Sequence, residues 1–406
     1  MQGRAIAERP TAGTPSLLRA MNERAVLELI HKAGPMAPSQ VVSRTGLSKP
    51  TVYLALTGLV DAGLLRPAGR TSGGPGPRAP LYEVNPLSGR VVGIHVGRQW
   101  TRAAIADISG AVLARRDERT RGWAAPRLVA QIGQIAHRLA ADAGIAWGQV
   151  TQAALGTPGV FVPRRDRVAL TPNLPGLGRL GLLDAVRREL GTTVNVENDV
   201  NLAALGEQAV GGGRGVANFV YLWVGTGVGM GLILDHRLYR GATGAAGEIG
   251  YLPVGGGDPH DSANRRRGTF EGTVAAAALV RSARELGLRA PLSARTVFAL
   301  ARRGDPAALE VVQLEARRLA LGLASVVPVI DPELVILGGG IGYYGDLLVE
   351  PLAAELSRIS PFQPRLEVSR LGDYAVLQGA IATALDEARE RIFSRGSAHG
   401  PPPAGP

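Results

Sequence analysis

The sequence predicts a mixed α/β protein in two parts: a small winged helix-turn-helix, then a larger body of strands alternating with helices. Three observations predict it. Residues 39–65, SQVVSRTGLSKPTVYLALTGLVDAGLL, read as a short helix, a tight turn at Thr45-Gly46-Leu47 and a second helix. A Gly- and Pro-rich stretch at 69–80, GRTSGGPGPRAP, then separates two short strand-like runs. From Val91 onward, apolar runs of strand length alternate with helical periods, the pattern of α/β layers.

The elements follow in order. Residues 1–14 are polar and carry Pro and Gly, the make-up of a disordered arm. Leu17, Leu18, Met21, Ala25, Val26, Leu29 and Ile30 then fall on one helical face. Gly34 and Pro35 end that helix, and Pro38 suits the first position of the next. Ser48 is placed to cap the helix after the turn, with Pro50 in its first turn. Val52, Ala55, Leu56 and Leu59 form that helix's inward stripe. Strands begin at Leu64 and return over 81–84, so a winged helix-turn-helix occupies residues 15–85. Residues 85–89 read as a linker. The body, residues 90–392, carries paired strands at 91–96 and 101–107, with Gly110 at the next turn. A helix at 128–143, a strand at 153–157 and a helix at 180–190 follow. A strand at 194–196 runs into Asp199 and a helix over 201–210. A Gly-linked hairpin joins 219–224 to 229–234. Helices cover 274–286, 294–302 and 307–330, and a strand at 334–337 ends in Gly338-Gly339-Gly340. Residues 394–406 have the composition of a disordered tail.

Composition narrows the classes. The 406 residues suffice for about two or three domains. Hydrophobic residues make up 45% but aromatics only 4%, so the cores rest on Ala, Val, Leu and Ile. The formal charge of +11 favours a polyanionic partner. Its carriers are nearly all Arg, since only Lys32 and Lys49 are lysine, so coding bias weakens that inference. Cysteine is absent, which excludes disulfides, thiol catalysis and Cys-ligated metals. With no leader-like apolar segment and no run of eighteen apolar residues, a cytoplasmic protein without a membrane span is expected.

Operator DNA is the partner that the first part implies. Ser48, Lys49, Thr51 and Tyr53 lie at the exposed start of the second helix, the part that meets bases and phosphates. Arg70 and Arg78 stand in the wing, where Arg suits phosphate or the minor groove. Residues 1–85 hold ten Lys/Arg against five Asp/Glu, a net of +5. Leu54 is apolar on this polar face, placed to pack on the wing or to meet a thymine methyl. The competing reading is a three-helix domain for protein contacts.

The second helix of the first part carries LSKPTV (47–52), and the body carries TPNLPG (171–176), VENDVNLAALGE (196–207), VGTGVGMGLIL (224–234), GAAGEIGYLPV (244–254) and VILGGGIG (335–342). Together these motifs resemble the ROK family (repressors, open reading frames and kinases) over most of the chain. The resemblance implies a two-lobed, actin-like ATPase fold of the sugar kinase type, with a sugar in the cleft. In a kinase of that family Asp199 would take the proton of the attacking sugar hydroxyl; in a sensor it would only hydrogen-bond it. Asn173, Asn198, Glu248 and Glu271 match the family's sugar contacts, and Tyr251 stands where a family His contacts the sugar, placed to stack on a sugar face. Gly225, Thr226 and Gly227 match its phosphate turn, and Gly338 and Gly339 its adenosine turn. Asp199 as a helix cap, Glu248 in a surface ion pair, and the glycines as plain turns are the structural alternatives.

The pattern breaks at two places. ROK kinases end the first strand of the body in Asp-x-Gly-Gly-Thr, which places Mg²⁺ and holds ATP phosphates. Here His95 stands for the Asp, and Arg98-Gln99 for Gly-Thr. Imidazole is a poor Mg²⁺ ligand. The family's zinc site uses a His and a Cys-rich loop. Here Tyr251 replaces the His, and the loop holds Arg265-Arg266-Arg267 and no Cys. His260 and Asp261 alone are too few zinc ligands. The expectation is therefore a sugar-responsive regulator, of repressor type, without metal, cofactor or kinase activity, with Asp199 a vestigial base. A homodimer or homotetramer is expected, since paired half-sites need two readers. The enzyme alternative is a sugar kinase that also binds DNA; a third is a DNA-binding protein whose body only mediates dimerisation.

Overall fold

The computed structural model describes residues 15–72, 78–162, 165–169, 178, 181–256, 258, 260–289 and 291–396. The chain divides into two compact units. One comprises residues up to Val91, Ala106–Ala111 and the chain from Leu385 on; the other comprises Val92–Ile105 and Val112–Ala384.

The first unit begins with three helices: α1 (Pro15–Ala33), α2 (Pro38–Thr45) and α3 (Lys49–Asp61). Gly46 closes α2, and the Ser48 hydroxyl accepts the Thr51 N–H at 3.3 Å to open α3. Strands β1 (Leu65–Arg70) and β2 (Pro80–Val84) pair antiparallel as the wing. Val26, Leu27, Ile30, Val41, Val52, Ala55, Leu56, Leu59 and Leu65 form one buried core. The expected face of α1 is only half used: Leu18, Met21 and Ala25 are exposed. Periodicity marks a face; it does not say how far along that face the small core reaches. Residues 85–89 are not a free linker either. Pro86–Ser88 form a 3₁₀ turn, and the Asn85 side chain bonds Leu87 N (3.1 Å) and Gly63 O (2.8 Å).

The second unit holds two five-stranded sheets. The first uses β3 (Arg90–Val96), β4 (Trp100–Asp107) and β5 (Val112–Arg119). After α4 (Ala125–Asp142) come β6 (Val150–Thr157), a small hairpin of β7 (Val160–Val162) and β8 (Arg167–Ala169), α5 (Leu182–Leu190), and β9 (Val194–Asn198). Its strand order is β5-β4-β3-β6-β9. Helix α6 (Asp199–Val210) leads to β10 (Phe219–Val224), β11 (Val228–Leu234) and β12 (Arg237–Leu238). Helices α7 (Ser262–Arg267), α8 (Thr269–Val274), α9 (Ala276–Glu285), α10 (Ala294–Arg302) and α11 (Pro306–Ile330) precede β13 (Leu334–Gly338). Last come α12 (Gly339–Gly342), α13 (Gly345–Ile359), β14 (Arg365–Val368) and α14 (Ala375–Gly396). The second sheet runs β12-β11-β10-β13-β14. Numbered within its own lobe, each sheet has the order 3-2-1-4-5. Each has its own apolar core. This duplicated arrangement is the two-lobed, actin-like architecture that the motifs imply.

Several elements escaped sequence reading: β5, β7, β8, α7, α8, α13, β14 and α14. Strand β5 alternates in exposure along VLARRDER, a charged edge strand rather than an apolar run. Helix α14 extends to Gly396, across the first residues of the expected tail. Its last part belongs to the first unit, where Arg24 of α1 pairs with Glu28 and Glu390, and Arg389 donates to Ile108 O at 3.0 Å.

Candidate functional site

Two surfaces carry chemistry. On the first unit, Lys49, Tyr53, Leu54 and Thr57 of α3 are exposed, as are Arg70 and Arg78 of the wing. Lys49 and Tyr53 thus present free side chains, with Tyr53 49% exposed. Ser48 and Thr51 are partly committed, since their hydroxyls lie 2.7 Å apart in the cap. Leu54, 54% exposed, does not pack away on the wing. Thr57 went unnoticed in the sequence, although it stands one helical turn after Tyr53. Lys49→Ala is expected to weaken binding to all duplexes alike and lower the salt slope by about 1, whereas Tyr53→Ala should alter sequence preference. Anisotropy titrations at several salt concentrations separate the two.

The second surface is a cavity of about 420 Å³. Of the expected sugar contacts, Asn198, Asp199, Glu248, Tyr251 and Glu271 all line it, as do Thr226 and Gly227; Asn173 lies outside the described residues. The position of Asp199 follows from topology. It begins α6 just beyond the end of β9, which pairs parallel with β6, and strand ends of this kind are where α/β sheets bind ligands.

Helix capping falls to Asn198, not to Asp199. Asn198 Oδ1 accepts Val200 N (2.8 Å) and Asn201 N (3.1 Å), and its amide donates to Gly159 O (3.0 Å). Most of its hydrogen-bonding capacity is therefore used internally. Asp199 Oδ1 takes the Val200 N–H, at 2.9 Å, and no side chain among the described residues bonds it. The Tyr251 hydroxyl donates to Arg266 O at 3.1 Å, so its proton is committed and its ring is what a ligand meets. Glu271 accepts from Val228 N (3.3 Å) and Arg267 Nε (3.2 Å), tying the Gly-rich turn to α8. Glu248 is half-buried with no ion-pair partner among the described residues, so it is not in a surface salt bridge. At the end of β9, the buried Glu197 holds Asn198 N (2.9 Å), Asn201 (3.0 Å) and the half-exposed Arg240 (2.6 Å), a network that sequence reading missed.

The two Gly-rich turns meet because β10 and β13 pair in parallel, Trp223 opposite Gly338. Gly339 has φ +80°, and a Cβ there would lie 2.5 Å from Val224 O. Gly225, Gly338 and Gly339 do not line the cavity, and Gly225 has no positive φ.

Burial dominates the electrostatics. It raises Asp199 to about 6, and raises Glu248 to about 7 with help from Asp199 and Glu271. Glu271 is also raised by burial, against the pull of Val228 N–H and Arg267. Because these carboxyls hold protons more tightly folded than unfolded, their contribution to stability is present at low pH. It is lost as pH rises through about 6 to 7. The ligand-free melting temperature is therefore expected to fall between pH 5 and 8 through these groups. Ligand-induced stabilisation should rise, since the ionised forms accept hydroxyl hydrogen bonds. Thermal melts with and without ligand across that range check both signs.

Neither family metal fits these residues. His95 is 5% exposed; burial and then Arg102 lower it to about 3, so it is a neutral imidazole without Nδ1 partner. It cannot replace a Mg²⁺-binding carboxylate. Near Tyr251, Asp261 caps α7 through Ala263 N (2.7 Å). No three His, Cys, Asp or Glu side chains among the described residues form a metal-binding group.

Comparison with known proteins agrees with this architecture. Residues 91–387 match the ROK family model. The chain belongs to the ROK family. Residues 17–69 match the IclR helix-turn-helix domain, and a helix-turn-helix joined to a ROK domain makes the chain a DNA-binding regulator of that family. It is 25% identical over 392 residues to a xylose repressor of Caldicellulosiruptor bescii, covering 92% of this chain and 98% of that one. A ROK hexokinase from Thermus thermophilus is 33% identical with TM-score 0.62, over 74% of this chain and 99% of the other. A ROK transcriptional regulator, a homologue of the Escherichia coli MLC protein, superposes with TM-score 0.77 over 94% of this chain and all of the other; at 21% identity this supports the fold alone. Among the described residues no helix is long and apolar enough to cross a membrane.

Proposed function

We propose that this ROK protein is a sugar-responsive transcriptional repressor whose kinase-like body senses its ligand without phosphorylating it. The observation that carries the reading is the mixed state of the cavity. The carboxylates suited to sugar hydroxyls, Asp199, Glu248 and Glu271, share one cavity with a buried neutral His95 where a metal-binding acid would be needed. Hydroxyl recognition is retained and phosphoryl transfer is not, because that reaction depends on metal and phosphate positioning.

In this reading α3 and the wing bind one operator half-site, and a dimer or tetramer reads the palindrome in the cytoplasm. Sugar binding favours one conformation of the body over another, and that difference in affinity is what releases DNA. The full-length relatives named xylose repressors support repression by this architecture. Fluorescence anisotropy on DNA upstream of the gene, at fixed salt with a panel of sugars, tests it. Specific binding released by one sugar is expected; specific binding that no sugar alters would make the body a scaffold.

A further inference from the structure

Two departures from the family pattern, far apart in sequence, meet in space. Arg98 follows β3, and Arg266 and Arg267 close α7. All three line a second cavity of about 490 Å³, with Thr226 and the opening residues of α9, Ala276 and Ala277. It shares Arg98, Thr226, Arg267 and Glu271 with the first cavity, so the two adjoin. Arg267 is paired with Glu271 at 3.2 Å. Arg98 and Arg266 are exposed, and neither guanidinium has a hydrogen-bond or ion-pair partner among the described residues. What sets these two apart is their place, since both face one cavity beside the expected sugar contacts.

A neutral sugar offers a guanidinium no more than water does. A phosphate ester offers oxygens that match its fork of donors and a charge that matches its own. The Thr226 hydroxyl and the positive end of the α9 dipole add to the same preference. We propose that the effector is a monophosphorylated sugar, its ring against Asp199 and Glu248 and its phosphate held by Arg98 and Arg266. This rests on the sugar-sensor reading above. Arg267 lines both cavities and offsets the Glu271 charge where they join.

The test uses the full chain without DNA, by thermal shift and calorimetry. The probes are glucose and glucose 6-phosphate, mannose and mannose 6-phosphate, N-acetylglucosamine and its 6-phosphate, inorganic phosphate, and ADP. One monophosphate should bind at least tenfold tighter than its free sugar. The Arg98→Ala/Arg266→Ala double variant should lose that advantage while keeping the weaker binding of the free sugar. Inorganic phosphate, which does not depend on choosing the right sugar, should stabilise the wild type at millimolar concentration and not the double variant. Absence of that phosphate effect, a free sugar binding as tightly as its monophosphate, or a preference that survives the double substitution would each overturn the proposal. ADP binding tighter than every monophosphate in an Arg98-dependent way would also overturn it, in favour of a nucleotide. The sensor reading fails separately: it requires Asp199→Asn to weaken both members of the matched pair. Both arginines are exposed, so the double variant should fold like the wild type.

Discussion

Asp199→Ala is expected to abolish DNA release at the sugar concentration that suffices for the wild type and to leave operator binding unchanged. Hydrogen bonds to a charged group contribute about 1.5–3 kcal/mol each, so effector affinity should drop roughly ten- to hundredfold. The fold should not suffer. Helix α6 keeps its cap, because Asn198 still accepts Val200 N and Asn201 N. Burial raises Asp199 to about 6, so above that pH the variant sheds an unfavourably buried charge. Its ligand-free melting temperature at pH 8 should match or exceed that of the wild type. Calorimetry with the effector, anisotropy on the operator and a thermal melt check the three statements. A variant that still releases DNA at the wild-type sugar concentration would place the sugar site elsewhere.

Gly379→Ala is expected to unfold the body. Helices α6 and α14 touch backbone to backbone through two reciprocal glycines. A Cβ at Gly379 would lie 1.8 Å from Leu202 O, and one at Gly206 would lie 2.2 Å from Ala375 O. No side chain stands there to rotate away, so the helices must separate. Overpacking typically costs about 1–3 kcal/mol even where side chains can adjust, and here the loss should exceed about 3 kcal/mol. Domains are stable by only about 5–15 kcal/mol, so most of the protein should become insoluble or melt early. The consequence reaches the site, since Asp199 heads α6. Gly148→Ala is the control: no atom lies within 4 Å of its would-be Cβ, and it should behave as wild type. Urea denaturation of both variants decides the matter. A Gly379→Ala protein with the wild-type midpoint would mean that the helices do not pack this closely.

The winged helix was legible because local signals agree there. Gly46, Ser48 and the Val52, Ala55, Leu56, Leu59 stripe each act within one or two turns of chain. The face of α1 was legible but not its extent, since the reach of a neighbouring core is a tertiary fact. Strand β5 was hidden because a solvent-facing edge strand carries the charges of a loop. At the cavity, motif text brought together Asn198, Asp199, Glu248, Tyr251 and Glu271, and the fold does the same. Their present engagements were not readable. Asn198 spends its amide on the backbone, Tyr251 its hydroxyl on Arg266, and Glu271 its charge on Arg267. Such assignments depend on distances of about an ångström that spacing in sequence does not encode. The meeting of Arg98 with Arg266 and Arg267 was equally invisible, because some 170 residues separate the two stretches.

The central claim is that the kinase-like body senses and does not convert. The most direct test places the protein, labelled operator DNA, the effector and MgATP in one cuvette. DNA release is followed by anisotropy and ADP by a coupled assay. The account predicts release that depends on the effector, with the same midpoint whether ATP is present or absent, and no ADP above the effector-free rate. Effector-dependent ADP formation at a kinase-like turnover, about 1–100 per second, would contradict it and make the protein an enzyme that also binds DNA.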